Sequence, residues 1–443
     1  PTTRMPCHFE MPRASERPTL WLVSNANALR NPQGSPAITV RTRPIADPQT
    51  LLARLPSGGS LAWVRGGEGL IGWGVAAQLE VSGPERFSRV QRWWSKWCAT
   101  ATIDDTVAIP GSGPVAFASF AFDPEPGTSI IIIPKVIVGR RGGQAWITAI
   151  HPTDDPRKSL PPVSVPDQPS AVRWSQGSRS PIEWQASVAE AIGRITAGEL
   201  DKVVLARDVL AQIDGVLDPR HLLLNLADRY PTCWTFSVAG LIGATPELLV
   251  RRTGDLVTSR VLAGTVRRQG DDAADAGLAL ALLDSGKDLE EHRYAVRSVA
   301  RALAAHCTDL DVPEGPRVLA LANVQHLATD VTGQLADGAS VLALAASLHP
   351  TAAVCGTPTE RALALIREIE GMDRGRYAGP VGWFDANGDG EFGIALRCAE
   401  IDEEAGIVRS FAGCGIVAGS SPGLELAEST AKLVPIRDAL ESR

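Results

Sequence analysis

Two pairs of carboxylates in this chain of 443 residues have the spacing of neighbours on one helix face. Asp288 and Glu291 are three residues apart on a predicted helix over residues 288–306. Glu425 and Glu428 are three apart on another predicted helix, which begins near residue 421. Side chains at i and i+3 share a face. Each pair alone is more typical of a solvated surface, where Lys432 would simply form an ion pair with Glu428.

The setting of the second pair favours a functional site. It follows a run of small residues, Ala412 to Gly415, where backbone N–H groups can approach an anion closely. If the two acidic faces meet, repulsion among four carboxylates requires a cation, and ligation by oxygen alone suits Mg²⁺. These four acids are therefore a candidate magnesium site.

Lysine is rare in this sequence, which makes individual lysines informative. Only six of the 43 basic residues are lysines, and the rest are arginines. A chain that uses arginine wherever a positive charge suffices keeps lysine where an amine that can lose its proton is needed. Lys202 begins a predicted apolar strand over residues 202–210, so it is a candidate general base. A lysine at a strand end that simply reaches water is an equally good interpretation.

Glu247 is the corresponding candidate acid. It follows Pro246 and begins a predicted apolar strand over residues 247–252. Burial favours the neutral form of a carboxyl group, so Glu247 could serve as a protonated acid. The alternative is a glutamate on the exposed face of an edge strand.

The elements that position these residues mix strands and helices without a regular βαβ alternation, which favours the α+β class. A capping box at Ser180 to Glu183 predicts a helix that ends at Gly198. A helix over residues 84–98 carries three tryptophans, which we interpret as core anchors. The other predicted strands are residues 61–65, 70–79, 115–122, 129–138, 144–150, 234–239, 379–384, 392–400 and 408–412, and a further helix covers 359–369.

Composition divides the chain into three parts. Residues 1–45 are expected to form a loose tail with an edge strand, residues 46–170 an N-terminal lobe, and residues 171–443 the catalytic lobe. A Pro/Ser-rich stretch over residues 161–179 marks the passage between the two lobes.

The overall composition excludes several classes of protein. The net charge of −7 argues against a nucleic-acid partner. The longest strongly apolar run covers only residues 130–133, so no membrane span is expected. Seven scattered cysteines without a CxxC pair indicate free thiols in a reducing compartment, and we expect a cytoplasmic protein.

Nine stretches of the second lobe resemble the chorismate-utilising enzymes, which include isochorismate, salicylate, anthranilate and aminodeoxychorismate synthases. They occur in family order between residues 202 and 432. The stretches are KVVLAR (202–207), GATPELL (243–249), LAGT (262–265), KDLEEH (287–292), VQHL (324–327), LHPTAAVCG (348–356), YAGPVGW (377–383), ALR (395–397) and residues 411–432. The resemblance implies one large α+β fold with packed antiparallel sheets and a site in the second lobe.

Single positions suggest which member of the family this chain resembles. Members that add ammonia carry glutamine at the position matched by Lys202, whereas members that add water carry lysine there. Ala263 stands where aminodeoxychorismate synthases commonly have a nucleophilic lysine. An alanine at position 353 resembles the residue found in isochorismate synthases, whereas synthases that eliminate pyruvate tend to have threonine at this position. Val354 stands where a leucine is expected, so some residual pyruvate-lyase activity stays an alternative.

The resemblance also implies roles. Lys202 would activate a water that attacks C2 of chorismate, and Glu247 would protonate the departing C4 hydroxyl. Mg²⁺ would be held by Glu291 and Glu428, with Asp288 and Glu425 ordering its waters. The substrate would be held at Gly264, Thr265, His326, Ala353, Tyr377, Arg397, Gly413 and Lys432. From sequence alone, a structural histidine at position 326 is equally plausible.

The predicted protein is thus an isochorismate synthase that acts on chorismate with Mg²⁺, as a monomer and without an amidotransferase subunit. Its product would enter menaquinone or siderophore synthesis. The alternatives are a salicylate synthase, which also eliminates pyruvate, and a non-catalytic chorismate-binding subunit.

Overall fold

Two large, mostly antiparallel β-sheets dominate the part of the chain that this computed structural model describes, residues 38–442. This range contains 23 strands and eight α-helices. The strands, in chain order, are β1 (Ile38–Pro44), β2 (Leu61–Arg65), β3 (Glu68–Trp73), β4 (Ala77–Val81), β5 (Ala101–Asp105), β6 (Val115–Ser119), β7 (Ser129–Ile133), β8 (Val136–Arg141), β9 (Gln144–Ile150), β10 (Ala171–Gln176), β11 (Lys202–Asp214), β12 (Trp234–Val238), β13 (Leu241–Thr245), β14 (Leu248–Thr253), β15 (Leu256–Arg267), β16 (Cys307–Asp311), β17 (Arg317–Ala320), β18 (Val324–Leu335), β19 (Gly356–Thr357), β20 (Pro380–Asp385), β21 (Gly390–Ile394), β22 (Cys398–Asp402) and β23 (Ile407–Ile416). The helices are α1 (Arg86–Ala99), α2 (Pro181–Thr196), α3 (Pro219–Arg229), α4 (Asp272–Asp284), α5 (Gly286–Leu303), α6 (Val341–Leu348), α7 (Thr359–Ile369) and α8 (Pro422–Glu441).

The strands form two sheets, and the two halves of the chain contribute to both. Sheet A has the order β10-β11-β23-β22-β13-β12-β2-β3-β8-β9-β1-β5, with β19 also paired to β11. Sheet B has the order β16-β18-β15-β14-β21-β20-β6-β7-β4, with β17 also paired to β18. The α+β prediction is therefore confirmed. The pairs β2–β12 and β6–β20 join residues before position 170 to residues after it.

The strand expected at the edge of a sheet is an internal one. β1 pairs with β9 on one side and with β5 on the other, and Val40 and Thr42 are buried. The edge prediction is wrong because β5, a short strand that sequence analysis missed, covers the free side of β1. Residues 1–37 of the predicted tail lie outside the described residues.

Three predicted strands each divide between the two sheets. The run 70–79 forms β3 in sheet A and β4 in sheet B, the run 129–138 forms β7 in sheet B and β8 in sheet A, and the run 392–400 forms β21 in sheet B and β22 in sheet A. Gly74 and Arg397 adopt positive φ at two of these breaks, and Pro134, which has no N–H for a ladder, lies at the third. A fourth crossing, at Pro246 and Glu247, joins β13 to β14.

The helices cover the sheets much as the sequence predicts. Ser180 caps α2 through the expected capping box with Glu183. Trp94 and Trp97 of α1 are buried in the core, and Trp93 packs partly against it. Helix α5 packs on β15 and β18, and α8 packs on β23. Within residues 38–442 no helix is long and apolar enough to span a membrane, and the six cysteines there are free.

Candidate active site

A cavity of about 720 Å³, partly open to solvent, brings most of the predicted site residues together. Its walls come from strands of both sheets and from helices α5 and α8. The predicted residues that line it are Glu247, Gly264, Thr265, Glu291, His326, Ala353, Tyr377, Arg397, Gly413, Glu428 and Lys432. Three predicted residues do not line the cavity directly: Lys202, Asp288 and Glu425. Lys202 contacts Glu291, and both Asp288 and Glu425 interact electrostatically with Glu428; Glu291 and Glu428 line the cavity.

Glu247 enters the cavity where the chain crosses from β13 to β14. Its side chain is buried, so it does not lie on an exposed edge. Burial raises the pKa of Glu247 to about 8, although the nearby charges of Lys202 and Lys432 oppose the shift. The carboxyl group is therefore mostly protonated at neutral pH and can donate a proton.

Lys202, the first residue of β11, is fully buried and does not reach water. Its Nζ lies 3.1 Å from Glu291 Oε1, yet no acceptor within residues 38–442 is aligned for a hydrogen bond with it. Gly415 makes this contact possible. A Cβ atom at position 415 would lie 2.4 Å from Glu291 Oε1 and 3.0 Å from Lys202 Cε.

The four predicted metal ligands lie on facing helices, with Asp288 and Glu291 on α5 and Glu425 and Glu428 on α8. Burial raises the pKa of Asp288, and the charge of Glu291 adds to this effect. Burial also raises the pKa of Glu425, with a contribution from Glu428. Burial alone would raise the pKa of Glu291, but Lys202, together with Lys432 and Lys287, outweighs this effect, and the pKa is lowered. These mutual effects place the four carboxyl groups in one electrostatic cluster.

Three of the six lysines pair with this acidic cluster. Besides the contact of Lys202, Lys287 Nζ lies 3.3 Å from Glu425 Oε1 and Lys432 Nζ lies 2.6 Å from Glu428 Oε1. Burial alone would lower the pKa of Lys432, but Glu428 more than compensates, and the pKa is raised. Each lysine thus lies beside one buried or partly buried carboxyl group.

The tightest group of candidate metal ligands within residues 38–442 contains only half of the predicted set. Ligand atoms of Cys414, Glu425 and Glu428 lie within 4.8 Å of one another. Burial raises the pKa of the Cys414 thiol well above its usual range, and a protonated thiol is a poor ligand for a hard cation. The carboxylate oxygens of α5 and α8 remain the donors that suit such an ion.

The wall of the cavity also carries a buried arginine without a carboxylate partner in the described residues. Arg397 Nη2 donates to His326 Nε2 at 3.1 Å, while its buried Nη1 has no partner. Because Arg397 can only donate, Nε2 of His326 must accept, and the ring proton lies on Nδ1, 3.0 Å from Thr265 Oγ1. Burial, with the charges of Arg397 and Lys432, lowers the pKa of His326 well below its usual value. His326 is therefore neutral, and Arg397 is open to an anion.

Two glycines shape this wall. Gly264 adopts φ +75° at a bulge of β15, between Ala263 and Thr265, and a Cβ there would lie 3.0 Å from Asp288 Cβ. A Cβ at Gly413 would lie 3.1 Å from the Tyr377 hydroxyl. The carbonyl of Gly413 accepts from Lys432 Nζ at 2.9 Å. Both positions thus allow close packing that a side chain would block.

Sequence analysis did not assign a site role to Gly415 or to Arg374. Arg374 lines the cavity, is buried, and pairs with Glu370 at the end of α7. The spacing of Glu370 and Arg374, four residues apart at the end of a predicted helix, was the available signal, but it is also that of an ordinary surface pair.

The profile of the family described as "Chorismate binding enzyme" matches residues 37–441. The chain therefore belongs to the chorismate-binding enzymes.

Several proteins with assigned names are similar to this chain along most of its length. The salicylate biosynthesis isochorismate synthase of Pseudomonas aeruginosa is 36% identical over 414 residues, which cover 86% of this chain and 85% of that protein. The isochorismate synthase MenF of Bacillus subtilis is 33% identical over 402 residues, which cover 84% of this chain and 85% of that protein. The structure of MenF, the menaquinone-specific isochorismate synthase from Escherichia coli, has a TM-score of 0.76 at 25% identity and covers 92% of this chain and 95% of that one.

Proposed function

We propose that this protein is an isochorismate synthase, an isomerase that converts chorismate to isochorismate. The observation that carries the proposal is that an acid and a cation line the same cavity. The acid is the buried Glu247, and the cation is the buried Arg397, which has no carboxylate partner in the described residues. The buried amine of Lys202 lies next to this cavity, in contact with Glu291 of its wall. The similarity to named isochorismate synthases along most of the chain supports the same assignment.

The reaction needs a base and an acid at separate atoms of the substrate ring. Lys202 accepts a proton from the water that attacks C2, and Glu247 donates a proton to the hydroxyl that leaves C4, while the ring double bonds shift. The water supplies the new hydroxyl and the old one departs as water, so the substrate and product are isomers. The raised pKa of Glu247 supports its role as the proton donor at neutral pH.

We further propose that Mg²⁺ binds the acidic cluster. Asp288, Glu291, Glu425 and Glu428 would hold it, because their oxygens suit a hard cation. A cation would also relieve the repulsion that adds to the effect of burial in raising the pKa values of Asp288 and Glu425. When bound, the ion would neutralise a substrate carboxylate.

Arg397 supports binding of a substrate carboxylate. Its free Nη1 can donate to a carboxylate oxygen, while His326 holds the rest of the guanidinium in place. Tyr377, Gly264, Thr265, Ala353, Gly413 and Lys432 complete the proposed substrate wall.

The remaining assignments concern the cellular setting. We propose that the protein is a cytoplasmic monomer. We also propose that it needs no amidotransferase, because Lys202 stands where ammonia-using members carry glutamine. Named relatives include a menaquinone-specific enzyme and a salicylate biosynthesis enzyme, so both menaquinone and siderophore synthesis stay open as destinations of the product.

Product analysis tests the proposal. Purified protein with chorismate and Mg²⁺ should give a near-equilibrium mixture of chorismate and isochorismate by liquid chromatography. Salicylate and pyruvate as the sole products would instead make the protein a salicylate synthase. Substrate binding without turnover would make it a non-catalytic chorismate-binding subunit.

Two variants test the assigned roles. Lys202→Met and Glu247→Gln should each lower kcat by about 10²- to 10⁴-fold. Calorimetry should still detect Mg²⁺-dependent binding of chorismate, because neither change removes the proposed anion and cation sites. A rate equal to that of the wild type in either variant contradicts the role of that residue.

A further inference from the structure

An ion pair that the proposed chemistry does not use lies beside the cavity, and its arginine, Arg374, lines the wall. Arg374 and Glu370 are both almost completely buried, with side chains 3% and 1% exposed. Arg374 Nε donates to Glu370 Oε1 at 2.7 Å and Arg374 Nη2 donates to Glu370 Oε2 at 2.6 Å. Burial lowers the pKa of Arg374, but Glu370 more than offsets this, so the guanidinium keeps its charge. Burying both charges is costly unless they satisfy further groups.

The further groups are backbone atoms of β11, the strand that begins with Lys202. Arg374 Nη2 also donates to Val204 O at 2.7 Å, and Glu370 Oε2 accepts from Ala206 N at 2.7 Å. On this edge of β11, β19 pairs with Lys202 and Val203, and β10 pairs with residues from Val209 onward. The ion pair therefore fills the gap between two strand partners.

The same arginine holds the loop that carries Ala353. Arg374 Nη1 donates to Val354 O at 2.9 Å, and Val204 N donates to the neighbouring Cys355 O at 2.8 Å. The chain thus lies beside β11 from Cys355 into β19, whereas the residues before Cys355, including Ala353, depart from the strand. One planar guanidinium spans this point of departure and fixes the distance between Val204 O and Val354 O. Both residues line the cavity.

We infer that Glu370 and Arg374 are positioning residues for the reaction. The pair sets the spacing between the strand that carries Lys202 and the loop that carries Ala353, and so fixes the base relative to the substrate. Neither residue needs to contact the reacting atoms. The inference rests on the proposed function, because Lys202 is the base only in that reaction.

The chain offers a matched control pair away from the cavity. Arg220 and Asp218 are also buried, and Arg220 also donates to a backbone carbonyl, that of Leu55, at 3.2 Å. Lysine cannot reproduce the planar fork of arginine at either site. Arg374→Lys and Arg220→Lys should therefore both lower the melting temperature, but only Arg374→Lys should change the reaction.

Steady-state kinetics with chorismate separate positioning from stability. In Arg374→Lys, kcat should fall about tenfold or more while KM stays within about threefold, because displacement of reacting groups by less than 1 Å is costly. Arg220→Lys should keep the wild-type kcat. If Arg374→Lys does not fold, Glu370→Gln, which keeps an acceptor for Ala206 N, carries the test with the same expected split. A kcat within twofold of wild type, or an equal loss in Arg220→Lys, overturns the inference.

Hydrogen exchange gives a readout that does not depend on turnover. Peptides covering residues 202–207 and 351–357 should exchange faster in Arg374→Lys than in wild type, and should be unchanged in Arg220→Lys. Unchanged exchange in Arg374→Lys also overturns the inference. Wild-type protein without turnover would instead refute the proposed function, and exchange would still decide whether the pair holds the strand and the loop together.

Discussion

Glu247 keeps its proton at neutral pH mainly because it is buried, so the reaction rate should depend on pH through this residue. Its pKa is about 8, and the protonated form is the one that can donate. We expect kcat/KM, which reports the free enzyme, to be full below this pH and to fall about tenfold per unit above it. Initial rates between pH 6 and pH 10, at a constant saturation of Mg²⁺, would measure the profile. A profile still flat well above pH 8 would exclude Glu247 as the proton donor.

Gly415 should be as important as the charged residues it accommodates. In Gly415→Ala, the new Cβ would lie 2.4 Å from Glu291 Oε1, so the contact between Lys202 and Glu291 must shift. We expect kcat to fall by about 100-fold with a native circular dichroism spectrum. Gly419→Ala is the matched control, because nothing lies within 4 Å of a Cβ at that position. Equal activity in the two variants would show that the placement of this ion pair is unimportant.

The positions where the chain changes sheet explain which elements the sequence could reveal. Apolar runs correctly predicted β2, β11 and β12. All five predicted helices are present, as α1, α2, α5, α7 and α8, whereas α3, α4 and α6 were missed. Apolar runs could not reveal that the runs 70–79, 129–138 and 392–400 each break between two sheets, because a strand pattern predicts extended backbone and not the sheet that the strand joins. The breaks matter for the site, since Glu247 and Arg397 both lie at sheet crossings. Family motifs found these two residues, but only the structure shows why they face one cavity.

The bulge in β15 is a second element that the site requires. Gly264 has φ +75° and lies against Asp288 of α5. Gly264→Ala should cost about 1 kcal/mol for the left-handed backbone and about 1–3 kcal/mol more for the clash with α5. Gly254→Ala provides the control, because Gly254 has φ +59° but no atom within 4 Å of a Cβ. Urea unfolding should therefore show a clearly larger loss for Gly264→Ala. Equal losses would mean that α5 can move away from the bulge freely.

At the scale of the whole molecule, the cavity is formed by a shorter part of the sequence than the sheets that support it. Every residue that lines the cavity lies between Val204 and Lys432, in agreement with the predicted position of the site. The sheets that hold these residues nevertheless need the first half of the chain. Trp63 of β2 donates to Glu391 of β21 at 3.0 Å, so one buried hydrogen bond already joins the halves. We therefore expect residues 171–443, predicted as the catalytic lobe, not to fold as an independent unit.

A fragment of residues 171–443 should therefore fail to fold although it contains every residue of the cavity. Without β2 and β6, the strands β12 and β20 would become exposed edges, and Phe236 and Trp383, now at most 1% exposed, would meet water. We expect weak near-ultraviolet circular dichroism, no cooperative urea transition and aggregation. A chain of residues 38–443, which forms one compact unit, is the control and should unfold cooperatively. Cooperative unfolding of the 171–443 fragment would contradict this view, because its sheets would then be stable without the strands that the first half supplies.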